Sequence, residues 1–237
     1  MSPSLLVAQV APDDAVALPA GAVAPVEPGA TPLAGDPGSG QDKRIFGVLP
    51  NYRTADGTMP FRPITTKQKF TIARKDTLDY PSYALAAAFS GLSQVDNSNA
   101  SFGQGIKGYA RRYGSAIADQ DLGNFMTEAI FPSLFHEDPR YFRKVHGSFR
   151  ARLGYAVTRI LITRTDAGKW RFNTSEFLGN GTVAAIGNWY YPDARSAGGT
   201  LQRMGTQIGT DAISGVLKEF WPDIKQKWLS HKSESAD

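Results

Sequence analysis

Two stretches of the chain set a glutamate and an asparagine four residues apart, one helical turn, within small and apolar sequence. They are Asn124 and Glu128 in GNFMTEAIFPSLF, and Glu176 and Asn180 in SEFLGNGTVAAIGNWYYP. Burying a carboxylate or an amide without a partner costs several kcal/mol. The four side chains are therefore expected to meet one another or to line a polar cavity, and they form the candidate site. If one helix at 149–165 separates the helices that carry them, those two helices run parallel. Asn124 then pairs with Glu176 and Glu128 with Asn180, a polar lock between helices. The antiparallel arrangement instead brings Glu128 to Glu176, which requires a shared proton or a cation.

Other reactive groupings are weaker. A di-metal carboxylate bundle needs Glu-x-x-His on two helices, but the third residue after Glu128 is Phe131 and after Glu176 it is Gly179. His136, Glu137 and Asp138 lack a metal-binding spacing. They read as helix caps, with His136 at a C-terminus and Asp138 as an N-cap before Pro139. Ser175 lies outside any G-x-S-x-G elbow, and GQGIKG (103–108) lacks the Walker spacing. Asp119, Asp121 and Asp211 read as solvated or helix-pairing. Nothing in the sequence calls for a metal or a cofactor, and the reading leans away from an enzyme.

The runs YARRYG (109–114) and RYFRKVHGSFRAR (140–152) mix basic and aromatic residues. Arg111, Arg112, Arg140, Arg143, Lys144, Arg150 and Arg152 are the candidates for an anionic surface contact, with lipid headgroups ranking above nucleic acid. A plain solvated basic face ranks above both. Anionic lipid or envelope proteins are the expected partners, and the oligomeric state is open.

The elements that must position these residues read as mainly α: four to five Gly/Ala-rich helices in one bundle-like domain, with a disordered N-terminal segment. Residues 43–66 carry Pro50, Pro60 and Pro63 and read as an extended, wrapping segment. Helical patterns follow from Thr65-Thr66, from Pro81, over about 106–135 with a kink at Pro132, over 172–191, and over 198–220 with a stop at Trp221-Pro222. The run at 149–165 mixes helical and alternating periods, and helix is favoured. Gly205 and Gly209, Gly114 and Ala118, and Gly179 with Gly187 supply small residues for close helix approach.

Composition divides the chain near residue 42. Residues 1–42 contain no Lys or Arg and five of the 22 acids, in an Ala/Pro/Gly-rich context that reads as a disordered linker. The remainder carries all 26 basic residues against 17 acids, a formal charge of +9. The domain is expected over 43–230, with a flexible tail at 231–237. Leu5 to Val7 followed by small residues suggests a signal-peptide remnant at 1–11, which places the protein in the periplasm or outer membrane. The alternative is a cytoplasmic protein with a disordered start. No cysteine is present, so disulfides and thiolate chemistry are excluded.

RIFGVLPNYRT, GNFMTEAIFPSLFHEDPRYF and the run from FNTSEFLGN to GNWYYP together resemble an uncharacterised family of exported proteins from acidobacterial-type soil bacteria. The resemblance spans roughly residues 44–225. It implies bacterial origin and export, and it carries no catalytic residue across. The expected role is structural or membrane-associated, through helices that pack by small residues. The rival is an enzyme or small-ligand binder with a polar pocket around Glu128 and Glu176.

Overall fold

Capping chemistry sets the first helix, α1 (Thr66–Thr77). Thr65 accepts from the Gln68 N–H while the Gln68 side chain accepts from the Thr65 N–H, a reciprocal capping box. In the computed structural model, residues 44–46 and 49–234 are described. The expected linker at 1–42, with its signal remnant, and the last residues 235–237 lie outside them.

Pro81 opens α2 (Tyr80–Val95), where a missing N–H costs nothing. Next come α3 (Gly105–Asn124), a π-helical turn (Phe125–Ile130) and α4 (Phe131–Leu134), which run on without a break. The expected kink at Pro132 is thus replaced by a π turn just before it. After α5 (Phe149–Leu161) and α6 (Thr174–Gly187), the long α7 (Ala197–Glu234) completes the described helices. Counting the α3–π–α4 run as one, the described residues form six helices, more than the four to five expected, and the fold is mainly α.

Short strands stitch the helices together. β1 (Arg44–Ile45) pairs antiparallel with β2 (Leu49–Pro50), and β3 (Thr54–Asp56) pairs parallel with β5 (Tyr141–Arg143). β4 (Glu137–Asp138), β6 (Ile162–Thr165) and β7 (Trp170–Phe172) form an antiparallel sheet ordered β4-β6-β7. The helix expected over 149–165 therefore stops at Leu161. Ile162 is extended, and Gly168 at φ +78° turns the chain so that 162–165 pairs with 170–172. The same hairpin takes Phe172 out of α6, which begins at Thr174.

Two further expectations are corrected. Asp138 caps no helix: it lies in β4, buried, and its carboxylate takes the Arg140 guanidinium at 2.6–3.2 Å. His136 does stand at a helix end as expected, directly after Phe135, the C-cap of α4, at φ +54°, and its carbonyl accepts from the Asp166 N–H. Likewise, α7 does not stop at Trp221-Pro222 but continues to Glu234, beyond the expected domain end at 230. Trp221 packs edge-on to Phe46 at 4.7 Å, and Arg152 clasps Asp223 at 2.5 Å. These contacts on both sides of Pro222 offset the backbone hydrogen bond that proline removes.

The π turn packs against α1 and α6, and α7 packs against α5 and α6. Ile72, Ala73, Ala129, Val183 and Ala184 are buried where these helices meet. Among the described residues, buried polar and charged side chains outnumber buried apolar ones. The interior is therefore organised by charge pairing as much as by hydrophobic contact.

Candidate functional site

Arg53 is delivered to the interior by a backbone clamp. Its carbonyl accepts from the Tyr141 N–H at 2.8 Å, one residue before the parallel β3–β5 pairing begins, and Thr54 donates its hydroxyl to the Asn51 side chain. From this anchor the guanidinium reaches Glu128 at 3.2 Å and Asp211 at 3.4 Å. Glu176 and Asp76 also act on it electrostatically. Four carboxyls from α1, the π turn, α6 and α7 thus surround one arginine.

The π turn holds Glu128 there. Its Phe131 N–H bonds the Met126 carbonyl, five residues back, and the Thr127 hydroxyl takes the Gly123 carbonyl at 2.9 Å. Gly179 of α6 allows the close approach, because a Cβ there would lie 2.7 Å from the Thr127 methyl. Single π turns inside helices occur frequently at functional sites.

The carboxyls are arranged in two pairs. Asp76 and Glu128 lie within hydrogen-bonding reach of each other, as do Glu176 and Asp211. Asp76 Oδ1 and Glu128 Oε2 are buried and receive no donor from the protein. One proton shared between those two carboxyls supplies the missing donor. Burial, reinforced by the neighbouring Asp76, pushes Glu128 well above the ordinary glutamate range. Burial and Asp211 do the same to Glu176. With one proton on each pair, two negative charges remain for the two cations present, Arg53 and Lys218.

Lys218 lies two helical turns beyond Asp211 on α7 and is buried. Burial, and then the adjacent Arg53, pull its ammonium down to about 8. Among the described residues no ion pair holds it. Lys69 offers the contrast: equally buried, it is fixed by Asp166 at 2.8 Å and the Pro132 carbonyl at 3.1 Å.

The cluster is a wall between two cavities. On one side is an open cleft of about 360 Å³, lined by Asp76, Glu128, Asn180 and the hydroxyls of Thr206, Thr210 and Ser214. On the other is a cavity of about 60 Å³ that reaches Glu176 and Tyr141. Arg53, Thr127, Asp211 and Lys218 border both. The cleft falls within the range of small-ligand pockets, about 300–1,000 Å³.

The candidate residues are gathered, but not in the expected pairs. Asn180 donates to Glu176 at 2.9 Å within α6, and Asn124 donates to Thr77 Oγ1 at 3.3 Å. The lock between helices is corrected accordingly: cross-helix pairing runs through Arg53 and through carboxyl–carboxyl contacts. The cation that a glutamate-rich interior requires is supplied by a segment read as irregular. Arg53, Asp76 and Lys218 were missed. Lys218 carried a signal, since Asp211, Ser214, Gly215 and Lys218 recur at one helical face. Among the described residues no group of three or more His, Asp or Glu is placed to hold a metal ion.

The basic candidates divide. Arg112 is buried and donates to the carbonyls of Ser98, Asn99 and Gly103 and to Gln94. Arg140 binds Asp138, Arg143 is buried, and Arg152 is buried against Glu219. Arg111, Lys144 and Arg150 are exposed. No family model matches the sequence, and no curated protein or solved structure is significantly similar to it.

Proposed function

We propose that this helical bundle is a small-ligand binder with acid–base capability, and that its site is the cleft where Arg53, Glu128 and Lys218 meet. The observation that carries the reading is the pair of carboxyls, Asp76 and Glu128, held against a single arginine on the wall of an accessible cleft with two oxygens left without protein donors. A purely structural network gains nothing from that arrangement, because partly satisfied buried charge is inferior to an apolar core. Protonated carboxyls can donate a hydrogen bond or a proton to a polar ligand and recover it afterwards. The test is a thermal-shift screen of small hydroxylated, carbonyl and amine compounds at pH 6 and pH 8. A stabilising hit whose effect is lost in Glu128→Gln and in Arg53→Met supports the reading; hits indifferent to both variants, or none, remove it.

A second reading, association with a membrane or an envelope partner, is favoured by α2. Its sixteen residues carry no charge, and Tyr80, Phe89, Leu92 and Val95 face outward. No helix among the described residues is long and apolar enough to cross a membrane, so such association would lie at the surface. Flotation with anionic liposomes, lost at high salt, supports it, and absence of flotation at low salt excludes it. Export to the envelope is part of this proposal and rests on the sequence, through the signal-peptide remnant read at 1–11 and the family resemblance.

A further inference from the structure

We infer that Lys218 is a nucleophile that forms an imine with a small hydroxylated aldehyde or ketone bound in the cleft. The inference rests on the cleft being a ligand site, as proposed above, and names its substrate class. Three features of the geometry carry it. Lys218 is buried yet borders both the open cleft and the cavity behind it, so its amine is screened from bulk water but reachable by a ligand. No ion pair among the described residues holds it, unlike Lys69. It also shares its enclosure with a second cation, Arg53, and with proton-bearing carboxyls. Burial beside another cationic group raises the neutral fraction of the amine above that of a surface lysine, and the neutral amine is the form that attacks carbonyl carbon.

The groups facing Lys218 are Arg53 from the segment before β3, Asp76 from α1, Glu128 from the π turn and Asp211 from its own helix. Their roles follow from the balance of the reaction. The Nζ lone pair attacks the carbonyl carbon, and the oxygen takes the proton shared by Asp76 and Glu128. The carboxylate so formed removes a proton from the nitrogen. It returns that proton to the carbinolamine hydroxyl, which leaves as water while the C=N bond forms as an iminium. It then takes the remaining nitrogen proton, which restores the shared proton and leaves the neutral imine. Amine and carbonyl give imine and water, with no other reactant required. The substrate class follows from the lining. Thr206 and Thr210 donate their hydroxyl protons to helix carbonyls and so offer acceptor oxygens to a ligand's hydroxyl groups. Ser214 and Gln207 line the same cleft, and the carboxyls around Arg53 pair its guanidinium against an anionic substituent.

The experiment is reductive trapping. The full chain is incubated with glyceraldehyde and cyanoborohydride at pH 8, with glyoxylate as an anionic comparison, and adducts are located by peptide mass spectrometry. Lys218 is expected to be labelled at least about tenfold faster than any other lysine, because a larger fraction of it is neutral. Glyceraldehyde is expected to outpace glyoxylate at that residue. The rate at Lys218 should reach half its maximum near pH 8, whereas surface lysines continue to gain toward pH 10. Glu128→Gln should slow the labelling of Lys218 and leave surface lysines unchanged. That pH profile is measured on the native protein, so the test does not depend on the folding of any variant. Labelling of Lys218 no faster than surface lysines overturns the inference. If that happens while the thermal-shift screen still yields Glu128-dependent hits, the cleft remains a binding site and only the covalent step falls.

Discussion

Two buried glutamates, Glu219 and Glu128, each meet an arginine in the interior of this protein, and their surroundings differ in one respect. Glu219 accepts from the Tyr141 hydroxyl at 3.1 Å, the Lys144 and Val145 N–H groups at 2.9 and 3.2 Å, and Arg152 Nε at 2.9 Å. The backbone is bent to feed it, since Val145 adopts φ +65°, a conformation that β-branched residues avoid. Burial and Glu219 also push the Tyr141 phenol well above its ordinary range, keeping it a donor. Glu128 meets Arg53 through one oxygen, and its other oxygen has no donor in the protein. One carboxylate is saturated and fixes loops and strands around α7. The other relies on a proton shared with Asp76 to satisfy that oxygen, and it does so beside a cleft. Saturation is the mark of structure, and the missing donor is what makes Glu128 the better candidate for chemistry.

The sharpest way to break this comparison is to remove each carboxylate and compare the costs. Glu219→Ala leaves Arg152, two N–H groups and a phenol without their acceptor, and it should destabilise the protein by about 3–5 kcal/mol, as breaking a buried ion pair does. Glu128→Gln keeps the shape and relieves a crowded carboxyl pair, so at pH 8 it should change stability by less than about 1 kcal/mol or raise it. Urea denaturation of both variants checks the contrast, which fails if the two costs are equal.

Proton linkage separates the regions next. Glu128 and Glu176 hold protons in the native state after the unfolded chain has released them near pH 4.5. In that window the unfolded state binds fewer protons, so stability should fall as pH rises from about 4.5 until the pairs ionise. Lys218 has the opposite sign. Between about 8 and 10.5 the unfolded chain holds a proton that the native amine lacks, so stability should rise across that window, by roughly 3 kcal/mol in full. Chemical denaturation from pH 5 to pH 10.5 should trace a fall and then a recovery. Glu128→Gln should shrink the fall, and Lys218→Met should abolish the recovery. A profile unchanged by both variants would place the linked protons elsewhere.

How much of this was legible in the sequence follows the range of the interactions. Caps and periodicity act within a few residues, so Thr65-Thr66 announced α1, and Pro81 announced α2. The buried character of Glu128, Glu176 and Asn180 was legible because polar residues stood alone in apolar helical surroundings. Their partners were not, because Arg53 arrives from a proline-rich segment whose position depends on a parallel strand pairing with residues almost ninety positions away. Arg112 and Arg152 misled for a related reason: a basic cluster in sequence does not reveal that carbonyls and a glutamate from other elements will absorb its charge. The strand at 162–165 showed only as an alternation within a run favoured as helix, and its partner WRF was obscured because Phe172 read as the first residue of a helix.

A smaller effect is expected where α6 closes on the π turn. Gly179→Ala places a methyl 2.7 Å from the Thr127 methyl and 3.3 Å from the Met126 and Thr127 backbone. Thr127 cannot easily turn away, because its hydroxyl is held by the Gly123 carbonyl. The helix must back off, and overpacking of this kind costs about 1–3 kcal/mol. The same shift moves Glu128 relative to Glu176, so ligand-induced stabilisation should weaken along with the midpoint of unfolding. Loss of stability with ligand response intact would detach the π turn from the site.

The smallest effect tests the other kind of glycine. Gly205 and Gly209 of α7 share the spacing that lets helices approach closely, yet a Cβ at either position meets nothing within 4 Å. Close approach is therefore not what these residues serve within the fold, and their flexibility is a net cost to α7. Gly205→Ala and Gly209→Ala should each raise stability by about 0.5–1 kcal/mol, the helix-propensity difference between the two residues. Neither should alter ligand response, since neither glycine lines the cleft and an added methyl leaves the backbone that carries Thr206 and Thr210 in place. Thermal melts of the two variants, with sedimentation to fix the oligomeric state, decide the matter. A gain confirms an open helix face, whereas a loss accompanied by a smaller sedimenting species would mean that this face is filled by a second molecule in solution.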